Sequence, residues 1–146
     1  MQPSQKHSPK NKPRAGLPDA AVIDLVQRQT FRFFWEGAHP VCGLARDRTG
    51  LATDPGDDLV ATGGSGFAVM AIIVAAERGW ITRDEAANRL ALMLGFLERT
   101  PCYHGLFPHY MNGRTGAAIR FGRKDDGSDI VETSFLFQGL LCARQY

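Results

Sequence analysis

Hydrophobic positions along the chain follow a helical period in four segments, and the connections between them are long, short and long. Segments 19–36 and 83–98 each carry one apolar stripe opposite charged residues, which predicts amphipathic helices that bury a single face. Segments 62–78 and 129–144 are apolar on nearly every side, which predicts helices that are covered all round. The order along the chain is therefore amphipathic, buried, amphipathic, buried.

This alternation is what a double ring of helices requires, because outer helices bury one stripe whereas inner helices pack on both sides. Both long connections run from an outer to an inner helix, so they open at the same end. The functional face is expected there, where the N-termini of the inner helices present free backbone amides. Four helices cannot close such a ring, and residue 146 follows an apolar run without a C-cap signal. We therefore expect an incomplete domain with part of its inner helices uncovered.

The two long connections also carry candidate chemistry. Each is far longer than the usual connection of about 4–6 residues, which indicates function or disorder, and their aromatic and charged content favours function. Within the second connection, segments 109–112 and 117–121 are predicted to pair as a small β-hairpin.

Composition limits the chain to one domain with a modest core, since 44% of its 146 residues are hydrophobic and 22% are charged. Residues 1–14 hold four bases, three prolines and no acid, so residues 1–18 are predicted to be a disordered basic tail before a domain at 19–146. The body has 13 bases and 15 acids, which does not favour nucleic acid as a partner. Three widely spaced cysteines predict reduced thiols.

No membrane span is expected, because the longest apolar run, 67–76, is about half of the roughly 20 residues that a span needs. No secretory signal follows the basic start. The glycine-rich segment 63–66 lacks the Lys and Ser/Thr of a phosphate-binding loop, and the Cys and His residues have no familiar metal-site spacing. We therefore expect no metal and no cofactor.

An acidic cluster precedes and opens the fourth helical segment: Asp125, Asp126, Asp129 and Glu132. The last two are three positions apart and so share one face of the first helical turn. Carboxylates shielded from water serve as acids and bases in catalysis. An aspartate N-cap followed three residues later by glutamate is equally typical of a capping box, which only satisfies free amides. The residues alone leave both readings open.

Six blocks of the chain resemble one known family in the same order: 33–40 (FFWEGAHP), 43–48 (GLARDR), 62–67 (TGGSGF), 77–83 (ERGWITR), 104–109 (HGLFPH) and 124–135 (KDDGSDIVETSF). Together they are similar to the N-terminal part of the glycoamylase-like glycoside hydrolases. This family includes bacterial endo-β-1,2-glucanases and a domain associated with cyclic β-1,2-glucan synthases.

The resemblance implies a partial (α/α)6 barrel and hydrolysis of a β-linked glucan, β-1,2-glucan above all. It implies that Asp125, Asp129 and Glu132 belong to the substrate cleft and take part in its activity, so they are the candidate catalytic residues. Glu132 or Asp129 is expected to do catalytic or water-positioning work, Asp125 is expected to contribute through substrate binding, and a further essential glutamate is implied beyond this stretch. Members of the family are usually periplasmic or secreted, whereas this chain as given shows no signal and would be cytoplasmic, so its compartment stays open.

Glycoside hydrolysis uses two carboxyl groups on opposite sides of the bond, about 6.5–9.5 Å apart for inversion or 5–5.5 Å for retention. Because Asp129 and Glu132 lie on one helical face, the opposing group is expected from another element. We therefore expect this segment to be inactive alone. The alternative is a non-catalytic carbohydrate-binding or helical interaction module.

Further candidates could bind an oligosaccharide or polysaccharide through aromatic stacking or hydrogen bonds to sugar hydroxyls. For Trp35 a packing role is a close alternative, and for Arg46 and Asp47 a solvated salt bridge is a close alternative. The candidate substrate-binding residues are Trp35, Glu36, His39, Arg46, Asp47, His104, His109 and Tyr110.

Overall fold

The computed structural model of the protein describes residues 16–48, 58–120, 122–124 and 127–146. Most of the predicted basic tail, together with Asp125 and Asp126 of the acidic cluster, lies outside the described residues.

Four helices occupy the four periodic segments of the sequence, so the mostly helical fold is confirmed. Their bounds are α1 Asp19–Trp35, α2 Thr62–Glu77, α3 Arg83–Leu97 and α4 Ile130–Gln145. A short segment fixes where α3 begins. Thr82 accepts a hydrogen bond from the amide of Glu85, whose side chain accepts the Thr82 amide in return, so α3 starts with the predicted capping box.

A small antiparallel sheet lies at the end of the molecule where α2 and α4 begin. Its strands are β1 Leu59–Ala61, β2 Tyr110–Asn112 and β3 Ala118–Ile119, in the order β1-β2-β3. The β2–β3 pair confirms the predicted hairpin. Strand β1 is an addition to the predicted all-α class, because three residues are too few to show a strand period.

Helices α2 and α4 pack with their backbones almost in contact. A Cβ atom on Gly66 would lie 2.1 Å from the carbonyl oxygen of Phe135, and one on Gly139 would lie 2.3 Å from the carbonyl oxygen of Gly66. Only glycine fits either position. The core around this contact joins both helices to α3, the sheet and the first connection through Leu44, Val60, Val69, Ile72, Met93, Met111 and Leu136.

As expected from the sequence, helix α4 leaves part of its apolar surface uncovered. Its fully buried face is narrow and consists of Thr133, Leu136 and Gly139, which face α2. Side chains on its other faces remain exposed in the described structure, including Ile130 at 66%, Phe137 at 47% and Leu141 at 53%. Helix α2 likewise leaves Phe67, Met70 and Val74 exposed. Both α2 and α4 therefore carry apolar surface that the described residues do not cover.

None of the described helices is both long enough and apolar enough to cross a membrane.

Candidate functional site

Residues 106–109, called here the bridging segment, link the first turns of α2 and α4. On the α2 side, the amide of Thr62 donates to the carbonyl of His109 at 3.1 Å, and the Thr62 hydroxyl donates to the carbonyl of Pro108. Thr62 is fully buried, so this pairing satisfies polar groups that water cannot reach.

On the α4 side, the same segment meets the residues around the helix start. The amide of Asp129 donates to the carbonyl of Phe107 at 2.8 Å, and the amide of Phe107 donates to the hydroxyl of Thr133 at 2.9 Å. The Ser128 hydroxyl donates to the carbonyl of Leu106. The bridging segment therefore fixes the N-termini of α2 and α4 relative to each other.

Asp129 is the N-cap of α4. Its Oδ1 accepts the amides of Val131 at 2.8 Å and Glu132 at 3.1 Å, and its Oδ2 lies 3.0 Å from Nδ1 of His109. Burial by itself raises the pKa of this carboxyl, but the two amides and the imidazole outweigh it, so the pKa of Asp129 lies below its ordinary value. The capping interpretation of Asp129 is therefore realised in the structure.

Glu132 does not complete a capping box. Its Oε2 accepts the backbone amide of Gly63 at 2.8 Å, across the interface with α2. A Cβ atom on Gly63 would lie 2.6 Å from this oxygen, so glycine is required for the approach. Glu132 thus stands at the N-termini of two helices at once, where the helix dipoles and free amides favour a negative group.

Tyr110 and Asp47 form a second polar pair at this end. The Tyr110 hydroxyl donates to Oδ1 of Asp47 at 2.9 Å, and a guanidinium nitrogen of Arg48 lies 2.7 Å from Oδ2. Burial raises the pKa of Tyr110; the bond to Asp47 and the charges of Asp47 and Glu132 raise it further, so the hydroxyl keeps its proton. Asp47, His109, Tyr110, Asp129 and Glu132 therefore lie in one region, which we call the polar cluster.

Two sequence candidates lie instead at the C-terminal end of α1. The Trp35 ring stacks on Phe31 at 5.6 Å between centroids and lies 4.2 Å from the guanidinium of Arg89, which also donates to the Trp35 carbonyl. Glu36 accepts both of its hydrogen bonds from Arg32 at 2.9 Å, and both side chains are more than half exposed. These contacts are typical of packing and of a surface ion pair.

His39 is buried, with an exposed fraction of 1%. Its Nδ1 accepts the amide of Val41, which leaves Nε2 to donate to Oδ1 of Asp58 at 3.0 Å. Asp58 in turn accepts from Arg114 and holds the β2–β3 turn, while the imidazole packs against Gly113. The structure thus places His39 in a buried, hydrogen-bonded contact between the first connection and the sheet.

Three sequence candidates remain: His104, Arg46 and Asp125. His104 is exposed at the tip of a tight turn, with φ of 49°, and its ring meets the edge of Tyr103. Arg46 is half-buried and pairs through its backbone with Val60 beside the sheet. Asp125 lies outside the described residues.

Sequence reasoning gave no role to Thr62 or Thr133, which anchor the bridging segment. No local signal distinguishes them from ordinary helix-start residues. Across the described residues, no group of three or more His, Cys, Asp or Glu side chains could hold a metal ion.

Comparison with known proteins identifies what this arrangement is similar to. The chain is 49% identical over 132 residues to an exo-β-1,2-glucooligosaccharide sophorohydrolase (non-reducing end) of Parabacteroides distasonis. It is 47% identical, with a TM-score of 0.85, to the endo-β-1,2-glucanase of Chitinophaga pinensis, solved with sophorotriose and glucose. The resemblance to β-1,2-glucan hydrolases is confirmed. A β-1,2-glucanase structure from Parabacteroides distasonis matches at 48% identity and a TM-score of 0.82.

The match to these β-1,2-glucan hydrolases is partial on their side. It covers 89% of this chain in all three comparisons, but only 18% of the sophorohydrolase, 32% of the Chitinophaga glucanase and 18% of the Parabacteroides glucanase. The chain therefore spans a third or less of the length of these relatives. No protein-family model matches it.

Proposed function

We propose that the whole gene product hydrolyses β-1,2-linked glucan and that this chain forms one wall of the substrate cleft. The observation that carries the proposal is Glu132, a carboxylate held at the N-termini of two inner helices by the amide of Gly63. The polar cluster around it offers hydroxyl and carboxylate groups of the kind that bind sugars. High identity to β-1,2-glucan hydrolases over this stretch supports the same substrate.

The architecture in this proposal is part of an (α/α)6 barrel, with α1 and α3 outside and α2 and α4 inside. The parallel start of α2 and α4 at the bridging segment supports it, since inner helices of such a barrel begin at one end. The exposed apolar side chains Phe137 and Leu141 support it as well, because a further inner helix would cover them.

Within the cleft, Glu132 is assigned to proton transfer or to the positioning of a water molecule. Only its Oε2 is hydrogen-bonded among the described residues, so Oε1 remains available to water or to a sugar hydroxyl. Asp129 lies on the same side, and the opposing carboxyl is assigned to another part of the gene product. Asp125, Asp47 and Tyr110 are assigned to substrate binding, and the chain by itself is expected to be inactive.

A second candidate function is a non-catalytic carbohydrate-binding module. It is favoured by Asp129, because both of its oxygens already serve the α4 cap and His109 and leave little freedom for proton transfer. This candidate predicts that sophorotriose binds but that no glucan is cleaved.

The decisive experiment is Glu132→Gln in the whole gene product, assayed by release of reducing ends from β-1,2-glucan. Glutamine retains an oxygen that can accept the Gly63 amide, so the fold is preserved while the ionisable group is lost. We expect turnover to fall by about 10²–10⁴-fold, the usual range for a lost acid or base.

The matched control is Glu77→Gln, at the opposite end of α2, about 21 Å from Gly63 by helix rise. Glu77 is exposed and accepts from the Tyr146 hydroxyl, which glutamine can also do. Unchanged turnover in Glu132→Gln, or an equal loss in both variants, would remove the catalytic assignment.

A further inference from the structure

We propose that His109 is a positioning residue, which holds Asp129 and through it Glu132, rather than a donor to sugar hydroxyls. The inference deepens the proposed function and rests on it for the kinetic part of its test. It follows from a closed ring of hydrogen bonds that starts and ends at the first turn of α2.

The first link fixes His109 to α2. Its carbonyl accepts the amide of the buried Thr62, and the neighbouring Pro108 carbonyl accepts the Thr62 hydroxyl. The amide and the hydroxyl of Thr62 both donate to this short stretch of backbone. The backbone of His109 therefore has little freedom to move relative to α2. The imidazole therefore starts from a fixed Cα position.

The second link runs from the imidazole to α4. Nδ1 of His109 lies 3.0 Å from Oδ2 of Asp129, and each side chain is only 21% exposed. The other oxygen of Asp129 accepts the amides of Val131 and Glu132. With one oxygen on the helix and the other on the imidazole, the plane of the carboxylate is fixed, and so is the first turn of α4.

The third link returns to α2 through Glu132. Its amide donates to Asp129, while its Oε2 accepts the amide of Gly63, next to Thr62. Loss of the imidazole opens this ring at the one bond that joins two side chains. Since a displacement of about 1 Å at a reacting group can lower turnover by about 100-fold, the ring matters for the placement of Glu132.

Three substitutions of His109 separate positioning from sugar contact. In His109→Asn the amide nitrogen can occupy the place of Nδ1 and donate to Asp129. In His109→Gln the amide lies one carbon further out, near the place of Nε2, and in His109→Ala no donor remains. Circular dichroism and thermal unfolding of each variant establish that the helices are retained.

For the whole gene product acting on β-1,2-glucan, we expect kcat to fall about 10–100-fold in the glutamine and alanine variants. KM should change by less than about twofold, and asparagine should restore most of the loss. A KM increase of similar size in all three variants would overturn the inference, since that is the result for a direct sugar contact. Unchanged kcat in all three would overturn it too.

A second readout does not depend on the reaction. The pKa of the Asp129 carboxyl is followed by carbon-detected NMR in wild type and in the three variants. We expect it to rise in the alanine and glutamine variants and to stay low with asparagine; equal values in all four proteins would overturn the inference. If wild type fails to cleave β-1,2-glucan, the proposed function falls while this titration still decides the role of His109.

Discussion

Asp129 shows how one side chain can satisfy a structural role inside a candidate active site. The sequence left its role open between an N-cap and an acid-base group, and its position at the start of a helical segment was correctly predicted. Its two bonds from the amides of Val131 and Glu132 identify it as the cap. Its partner His109, 20 residues away, could not be predicted because no local pattern links a loop histidine to a helix cap.

The lowered pKa of Asp129 makes its contribution to stability depend on pH. A carboxyl whose pKa is lower in the folded state stabilises the fold above its unfolded pKa of about 3.9, and this contribution is lost as pH falls through the folded pKa. Asp129→Asn keeps an oxygen for the cap and removes the charge. We expect the difference in free energy of unfolding between wild type and this variant to be constant above about pH 5 and to shrink below about pH 4.

Urea unfolding across about pH 2.5–7, a range that spans the unfolded pKa, measures that difference in free energy of unfolding. Asp129→Ala serves as the comparison, since it also removes the cap, which is worth about 0.5–2 kcal/mol. A difference in free energy of unfolding that grows as the pH falls would contradict the lowered pKa of Asp129.

At the scale of elements, the four helices were predictable because each has a long apolar period and two have recognisable caps. The Thr82–Glu85 capping box was identified from sequence and is present. What the sequence could not predict was how closely α2 and α4 approach each other. Gly66 and Gly139 are 73 positions apart, and nothing in the local pattern pairs them.

Gly66→Ala tests this approach. Alanine is the better helix former by about 1 kcal/mol, but its Cβ would lie 2.1 Å from the Phe135 carbonyl oxygen, a backbone atom that cannot yield without separating α2 from α4. We expect a loss in free energy of unfolding at or above the roughly 3 kcal/mol upper range of overpacking.

Gly95→Ala in α3 is the matched control. The nearest atom to its added Cβ is the end of the Arg99 side chain at 3.9 Å, an ordinary contact. This variant should therefore be as stable as wild type or more stable by up to about 1 kcal/mol. Equal effects of the two substitutions in denaturant unfolding would mean that α2 and α4 do not touch as described.

At the scale of the whole molecule, the polar cluster is assembled from distant parts of the chain. Gly63 and Glu132 are 69 positions apart, and Asp47 and Tyr110 are 63 apart. Sequence reasoning predicted a functional face at the end where both long connections open, and the polar cluster lies at that end. It could not separate the members of the polar cluster from Trp35, because packing and substrate binding both fit the local pattern around Trp35.

The apolar faces of α2 and α4 are the second feature at this scale. The sequence predicted two helices that are apolar on nearly every side and that have part of this surface uncovered, and the described structure leaves Phe67, Phe137 and Leu141 exposed. The relatives that the chain matches are three or more times longer in each comparison given above. Further helices in the whole gene product would bury these faces, as the proposed barrel requires.

The central claim, that sugar binds at the N-termini of α2 and α4, is tested most directly by a crystal structure. The Glu132→Gln variant of the whole gene product would be crystallised with sophorotriose. We predict sugar electron density within hydrogen-bonding distance of residue 132 and of the Asp47–Tyr110 pair. Density at another surface, with no sugar near residue 132, would contradict the account.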